Sequence, residues 1–129
     1  MTNRRAFLQS SGLFAAGAAI PSAKESNMKF IHHVLFWAKN PGNQAEVAQL
    51  RNALVELGKL PMIQMVHVGA PVVTEFDKSV TDGSYSFSVV MVFESAEKEN
   101  EYLHHPLHLK FINENKHLWG KVTVTDSIS

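Results

Sequence analysis

The sequence predicts an α+β domain of the ferredoxin-like kind: βαββαβ with a four-stranded antiparallel sheet, joined to a second copy as a dimeric α/β barrel. Three observations lead there. After residue 28 the apolar patterning runs strand, helix, strand, strand, broken helix, strand, the order of split βαβ units. The first strand, Met28 to Lys39, is apolar on both faces, with Phe30, His32, Val34 and Phe36 on one and Ile31, His33, Leu35 and Trp37 on the other. A strand exposed on one side would alternate apolar with polar, so this one is expected to be covered on both. With 129 residues the chain has room for one ordinary domain. Helices can cover one face of the sheet, and a self-complementary two-fold contact with another copy would cover the other.

The elements follow in order. Residues 1–23 are expected to be a cleavable export signal and 24–129 the folded domain. Arg4-Arg5 supply a positive start, Leu13 to Ile20 a short apolar stretch, and Asn3-Arg4-Arg5-Ala6-Phe7-Leu8-Gln9 resembles the twin-arginine signal of bacteria. The expected location is therefore outside the cytoplasm, in the periplasm. After the first strand, Asn40-Pro41-Gly42 breaks the chain. Asn43 with Glu46 is an N-cap pair for a helix whose apolar face is Val47, Leu50, Leu54 and Leu57. Gly58 and Pro61 stop it. Met62 to Val73 reads as the second strand. Thr74 to Ser84, with Asp82-Gly83, reads as a polar loop. Tyr85 to Phe93 is the third strand, with Tyr85, Phe87, Val89, Met91 and Phe93 on one face. Ser95 caps a helix that runs to Tyr102-Leu103. After a corner a further helix presents Leu107, Phe111 and Leu118 inward and ends at Gly120, and Lys121 to Ile128 forms the last strand, with Val122, Val124 and Asp126 on one face.

Composition narrows the function. Hydrophobic residues at 45% and charged residues at 19% describe a globular chain. A formal net charge of zero argues against nucleic acid as a partner. Without Arg4 and Arg5 the 12 basic residues become 10 against 12 acids, a formal charge of −2. The absence of cysteine excludes thiol catalysis, disulfides and thiolate-bound zinc. The sequence has no Gly-rich phosphate loop, no Gly-x-Ser-x-Gly elbow and no carboxylate pair placed for glycoside chemistry. No membrane association is expected once the signal is removed.

Chemistry is concentrated in Tyr102-Leu103-His104-His105-Pro106-Leu107-His108-Leu109-Lys110-Phe111, which holds three of the seven histidines. Pro106 disfavours helix at His105 and has a φ suited to starting a new one. His105 then stands at the mouth of the second helix and His108 points inward from its first turn, with Tyr102 across the corner. Histidine titrates near neutrality, so His108 is the candidate general acid or base and Tyr102 its partner. A metal would need three or four converging ligands. His105 and His108 with His32 or Glu101 would make a weak set, and no His-Glu-x-x-His motif is present, so no metal and no cofactor are expected. His33, His67, His104 and His117 are read as structural or solvated.

These residues resemble the stress-responsive dimeric α/β-barrel (Dabb) family. His32-His33-Val34-Leu35-Phe36 is similar to its opening strand, Val89 to Ser95 to its third strand and helix cap, and Tyr102 to Phe111 to its Tyr-x-x-His-Pro-x-His-x-x-Phe motif. The resemblance spans about Met28 to Ile128. It departs at Asp126, followed here by Ser127 rather than by an aromatic residue. It also departs at Phe87, where a plant cyclase of the family has a cavity histidine. By position, the resemblance implies acid/base roles for Tyr102 and His108 and a cavity position for His32.

The expected pocket is apolar and lies between sheet and helices, lined by Phe30, His32, Val34, Phe36, Phe87, Val89, His105, Phe111 and Trp119 with Tyr102 and His108. Two functions fit. One is an acid/base lyase, cyclase or isomerase acting on a small apolar or aromatic carbonyl compound through His108 and Tyr102. The other is a non-catalytic homodimer that binds a small molecule or serves in a stress response.

Overall fold

The computed structural model describes residues 29–129; the export signal expected in residues 1–23 lies outside them. Four strands and three helices follow in the order expected. They are β1 (Phe30–Ala38), α1 (Gln44–Leu57), β2 (Met65–Gly69), β3 (Phe87–Phe93), α2 (Ala96–His104), α3 (Pro106–Asn115) and β4 (Trp119–Ile128), with short 3-10 turns at Lys78–Val80 and Lys116–Leu118. The sheet order is β2-β3-β1-β4, and every neighbouring pair is antiparallel. This is the ferredoxin-like arrangement. Among the described residues, no helix is long and apolar enough to cross a membrane.

The register explains the two faces. On β1, Phe30, His32, Val34 and Phe36 are buried and point to the helices, while Ile31, His33, Leu35 and Trp37 are only partly covered. Phe87, Val89, Met91 and Phe93 of β3 share the inner face and are all buried. On β4, Val122, Val124 and Asp126 pair with Phe36, Val34 and His32, so they too face inward. α1 packs Leu50, Leu54 and Leu57 onto this face. Asn43 accepts a hydrogen bond from the Glu46 N–H (3.1 Å) and caps α1. The Glu46 carboxylate accepts from the Asn40 amide instead of closing a reciprocal capping box. Gly58 ends α1 in ordinary right-handed conformation. Its role is close approach: a Cβ there would lie 2.8 Å from the Val66 methyls.

Four expectations are corrected. The second strand is five residues long, Met65–Gly69, because the chain leaves the sheet at Ala70-Pro71. The loop to β3 is not uniformly polar: Val72, Val73, Phe76 and Val80 are exposed on it. Leu107 is half exposed, because the inward face of α3 is taken by His108, Phe111 and Asn115, and Leu107 lies a residue off that face. Gly120 lies inside β4 and ends nothing; α3 stops at Asn115.

The outer face of the sheet is an apolar stripe. Ile31, Leu35 and Trp37 of β1 and Val90 of β3 form it, and Ser88, Thr123, Thr125 and Lys121 flank it by register. His33 Nε2 bonds the Ser88 hydroxyl within the stripe (2.8 Å), and Lys121 lies over the Trp37 ring.

Candidate active site

The corner between α2 and α3 positions the chemistry. Ser95 caps α2 through the Lys98 N–H. At the other end His105 is extended (φ −64°, ψ 137°), and Pro106 opens α3. The His105 ring accepts a hydrogen bond from the Leu107 N–H (3.1 Å), and its carbonyl accepts from the N–H groups of His108 and Leu109. His105 is thus an N-cap, with its Nδ1 taken up in capping. It does not line the cavity, which corrects its placement among the pocket residues. The same corner turns α3 back on α2 and brings the Tyr102 and His108 rings to 4.6 Å between centroids.

A cavity of about 370 Å³ lies between the sheet and the helices. His32, Val34 and Phe36 of β1 form its floor with Val89 and Met91 of β3. Tyr102, Leu103, His108, Phe111 and Ile112 form its roof, with Leu54 and Leu57 of α1 at one side. Trp119, Val122 and Val124 of β4 complete it. Val122 and Val124 are exposed although they face inward, so the cavity opens along the β4 edge, with Lys116 at its mouth. Phe87 and Phe30 are buried but are not in its wall; both belong to the packed core. The aromatic contacts run without a break from His32 to Tyr102, His108, Phe111, Trp119 and Phe36.

His108 is held as a neutral ring of one tautomer. Its Nδ1–H donates to the Leu103 carbonyl (2.9 Å), which leaves the proton-free Nε2 as the acceptor. Burial lowers its pKa from the ordinary histidine value; the Leu103 carbonyl partly opposes this and His32 adds to it. Tyr102 is 2% exposed, and burial, with the Glu99 carboxyl nearby, pushes its hydroxyl well above the usual phenol range. The hydroxyl therefore keeps its proton at any ordinary pH. Among the described residues nothing hydrogen-bonds it, and a buried polar group without a partner is rare. An acceptor site on one ring and a donor without an acceptor on the next suit a carbonyl or hydroxyl group of a bound molecule.

Two acids given no site role in the sequence reading stand against His32, the cavity residue at the start of β1. His32 Nδ1–H donates to Asp126 Oδ1 at 2.7 Å, and Glu99 Oε2 lies 3.4 Å from the same nitrogen. Both acids had a signal. Asp126 alternates in phase with Val122 and Val124, and Glu99 precedes Tyr102 by three residues, on the same helix face. Burial raises the pKa of Glu99; His32 opposes the rise and Asp126 adds to it. His33 lies on the outer face, and His104 is tied to the Asn100 carbonyl on the outside of α2.

A half-open apolar cavity under a ferredoxin-like sheet, with a histidine and a tyrosine on its roof, defines a class of small α+β domains built around an internal cavity. The chain belongs to the stress-responsive A/B barrel domain family, whose profile matches residues 31–129. Solved structures of similar fold include a dimeric ferredoxin-like protein of unknown function from Thermobifida fusca (TM-score 0.63, 20% identity, 79% of this chain and 92% of that one). A Dabb family protein from Mesorhizobium loti gives 0.62 at 18% identity, over 78% and 95% of the two chains. Hydroxynitrile lyase from Passiflora edulis gives 0.64 at 18% identity, over 79% and 94%. No curated protein matches the chain in sequence.

Proposed function

We propose that this protein is an acid/base lyase, cyclase or isomerase for a small apolar or aromatic carbonyl compound, and that it works as a homodimer after export. One observation carries the chemical part: on a mostly apolar wall, a neutral His108 with Nε2 proton-free stands beside a Tyr102 hydroxyl that has no acceptor among the described residues. In this mechanism the Tyr102 O–H donates to the carbonyl oxygen. His108 Nε2 takes a proton from the neighbouring carbon or from a hydroxyl, and returns it when the product forms. Burial keeps both groups in the required state at neutral pH, the histidine neutral and the phenol protonated. The lyase reading is supported by a structural neighbour of this fold that is a hydroxynitrile lyase. The homodimer is supported by the apolar stripe on the outer face, by the exposed Val72, Phe76 and Val80 on the β2–β3 loop, and by neighbours described as dimeric. Export is supported by the Arg4-Arg5 pair and the short apolar run that follows it.

Reaction class can be tested without the natural substrate. Phenylacetone, an aromatic ketone with acidic α-hydrogens, is incubated with the protein in D2O, and loss of the α-proton signals is followed by NMR. Binding is read from tryptophan fluorescence, since Trp119 lines the cavity. Wild type is expected to bind and to speed exchange by about 100-fold or more over His108→Ala, with Tyr102→Phe in between. Binding without any histidine-dependent exchange would establish the non-catalytic alternative, and absence of binding would remove the pocket from both.

A further inference from the structure

Three side chains from three elements converge around His32, which lines the cavity wall. His32 on β1 and Asp126 on β4 are register partners on adjacent strands, and Glu99 descends from α2 above them. One donor atom from each, His32 Nδ1 and a carboxylate oxygen from Glu99 and Asp126, lies within 4.8 Å of the other two. His32 is 5% exposed and Glu99 is 7% exposed. Asp126 is the accessible member.

The protons among these groups do not suffice. His32 Nδ1 carries one, and it goes to Asp126 at 2.7 Å. The Glu99 carboxyl, 3.4 Å from that same nitrogen, meets no hydrogen-bond donor among the described residues. A buried carboxyl without a donor is costly whether it is charged or neutral. A cation of charge +2 at the point where the three atoms converge would remove the shortfall. It would neutralise both carboxylates, replace the single shared proton and give every donor atom a bond.

We propose that His32, Glu99 and Asp126 bind one divalent cation of the Zn2+ class. Donor chemistry selects the class: an imidazole with two carboxylates suits borderline cations such as Zn2+, whereas Mg2+ and Ca2+ favour all-oxygen shells. The spacing is close to what is needed. Metal–ligand bonds of about 2.0–2.2 Å place donor atoms roughly 3–4.3 Å apart. The His32–Asp126 pair has to open by a few tenths of an ångström and the widest pair to close by about as much. Three protein donors leave at least one position for water or an oxygen of a bound molecule. This site differs from the weak set expected in the sequence around His105 and His108: His105 caps α3, and His108 Nδ1 is tied to Leu103. Cation binding here does not depend on the acid/base reading of His108 and Tyr102.

The test uses the full chain treated with chelator, titrated with ZnCl2 by isothermal calorimetry, and assayed for bound metal after dialysis. One Zn2+ per chain is expected, with a rise in Tm on loading. Glu99→Gln and Asp126→Asn, both isosteric, should each weaken binding by about tenfold or more and abolish the Tm rise. His104→Ala and His117→Ala, on solvent-exposed histidines outside the cluster, should leave affinity unchanged. Circular dichroism of Glu99→Gln checks that the fold is kept. Failure to retain stoichiometric Zn2+, equal affinity in wild type and Glu99→Gln, or loss of binding only in the surface-histidine variants would each overturn the proposal.

Discussion

Leu35→Glu is the most direct test of how the sheet is covered. Leu35 sits at the centre of the outer stripe on β1, between Ser88 of β3 and Thr123 of β4. It makes no contribution to the inner core, so the protomer should fold with the substitution. Burying a leucine fully is worth about 1.5–3 kcal/mol. Leu35 is already partly covered in the protomer, so a facing sheet adds only about 1 kcal/mol per copy. The replacing carboxylate is the larger effect, because taking it out of water costs several kcal/mol unless it is paired. A two-fold contact doubles both. Even at about 2 kcal/mol per copy the dimer loses roughly 4 kcal/mol, close to 1,000-fold in Kd. Analytical ultracentrifugation over a concentration series reads this directly. Wild type is expected to be dimeric at micromolar concentration and Leu35→Glu monomeric. A wild-type monomer, or a variant with unchanged Kd, would show that the outer face is not where copies meet.

Other predictions concern the site and the core. His108 is neutral when buried, and its pKa is lowered from 6.5. The unfolded chain therefore takes up this proton first, so the contribution to stability is full above pH 6.5 and declines as pH falls from there towards the folded-state pKa. Urea unfolding at several pH values should show a steeper acid loss for wild type than for His108→Gln. His105→Ala removes the α3 cap and should cost about 1 kcal/mol, a Tm drop of about 4–8 °C, with tryptophan-monitored ligand binding retained. Leu54, 1% exposed and also in the cavity wall, should cost about 2–5 kcal/mol as Leu54→Ala in denaturant titrations, and the enlarged cavity should admit bulkier aromatic probes. In chelator-treated protein at pH 7, Glu99→Gln should melt no lower than wild type, since it removes a buried carboxyl that meets no donor among the described residues.

The elements were legible because they rest on local physics. Asn43 and Ser95 cap their helices through N–H groups three residues on, Pro106 starts a helix that His105 cannot join, and β1 declares two covered faces in nine residues. Errors arose where a neighbour elsewhere in the chain decided the outcome. Leu107 is apolar and near the corner, but helical phase gives the inward face to His108 and Phe111. Phe87 shares a face with Val89, yet the cavity begins only where α2 and α3 stand off the sheet. His105 stands at the mouth of α3 as the sequence implies, but the orphan N–H of Leu107 takes its Nδ1 and keeps it out of the pocket wall.

By itself, the sequence determined the order of elements, the inward phase of each strand and the corner that brings Tyr102 onto His108. Each follows from side-chain periodicity or from the fixed φ of a proline, which act over a few residues. Only the tertiary structure decided that His32 shares its proton with Asp126, 94 positions away, and that Glu99 beside them meets no donor among the described residues. That outcome depends on the β1–β4 register and on the tilt of α2 over the sheet. Both are set by packing of the whole core, because a one-residue slip in that register would send Asp126 to the opposite face.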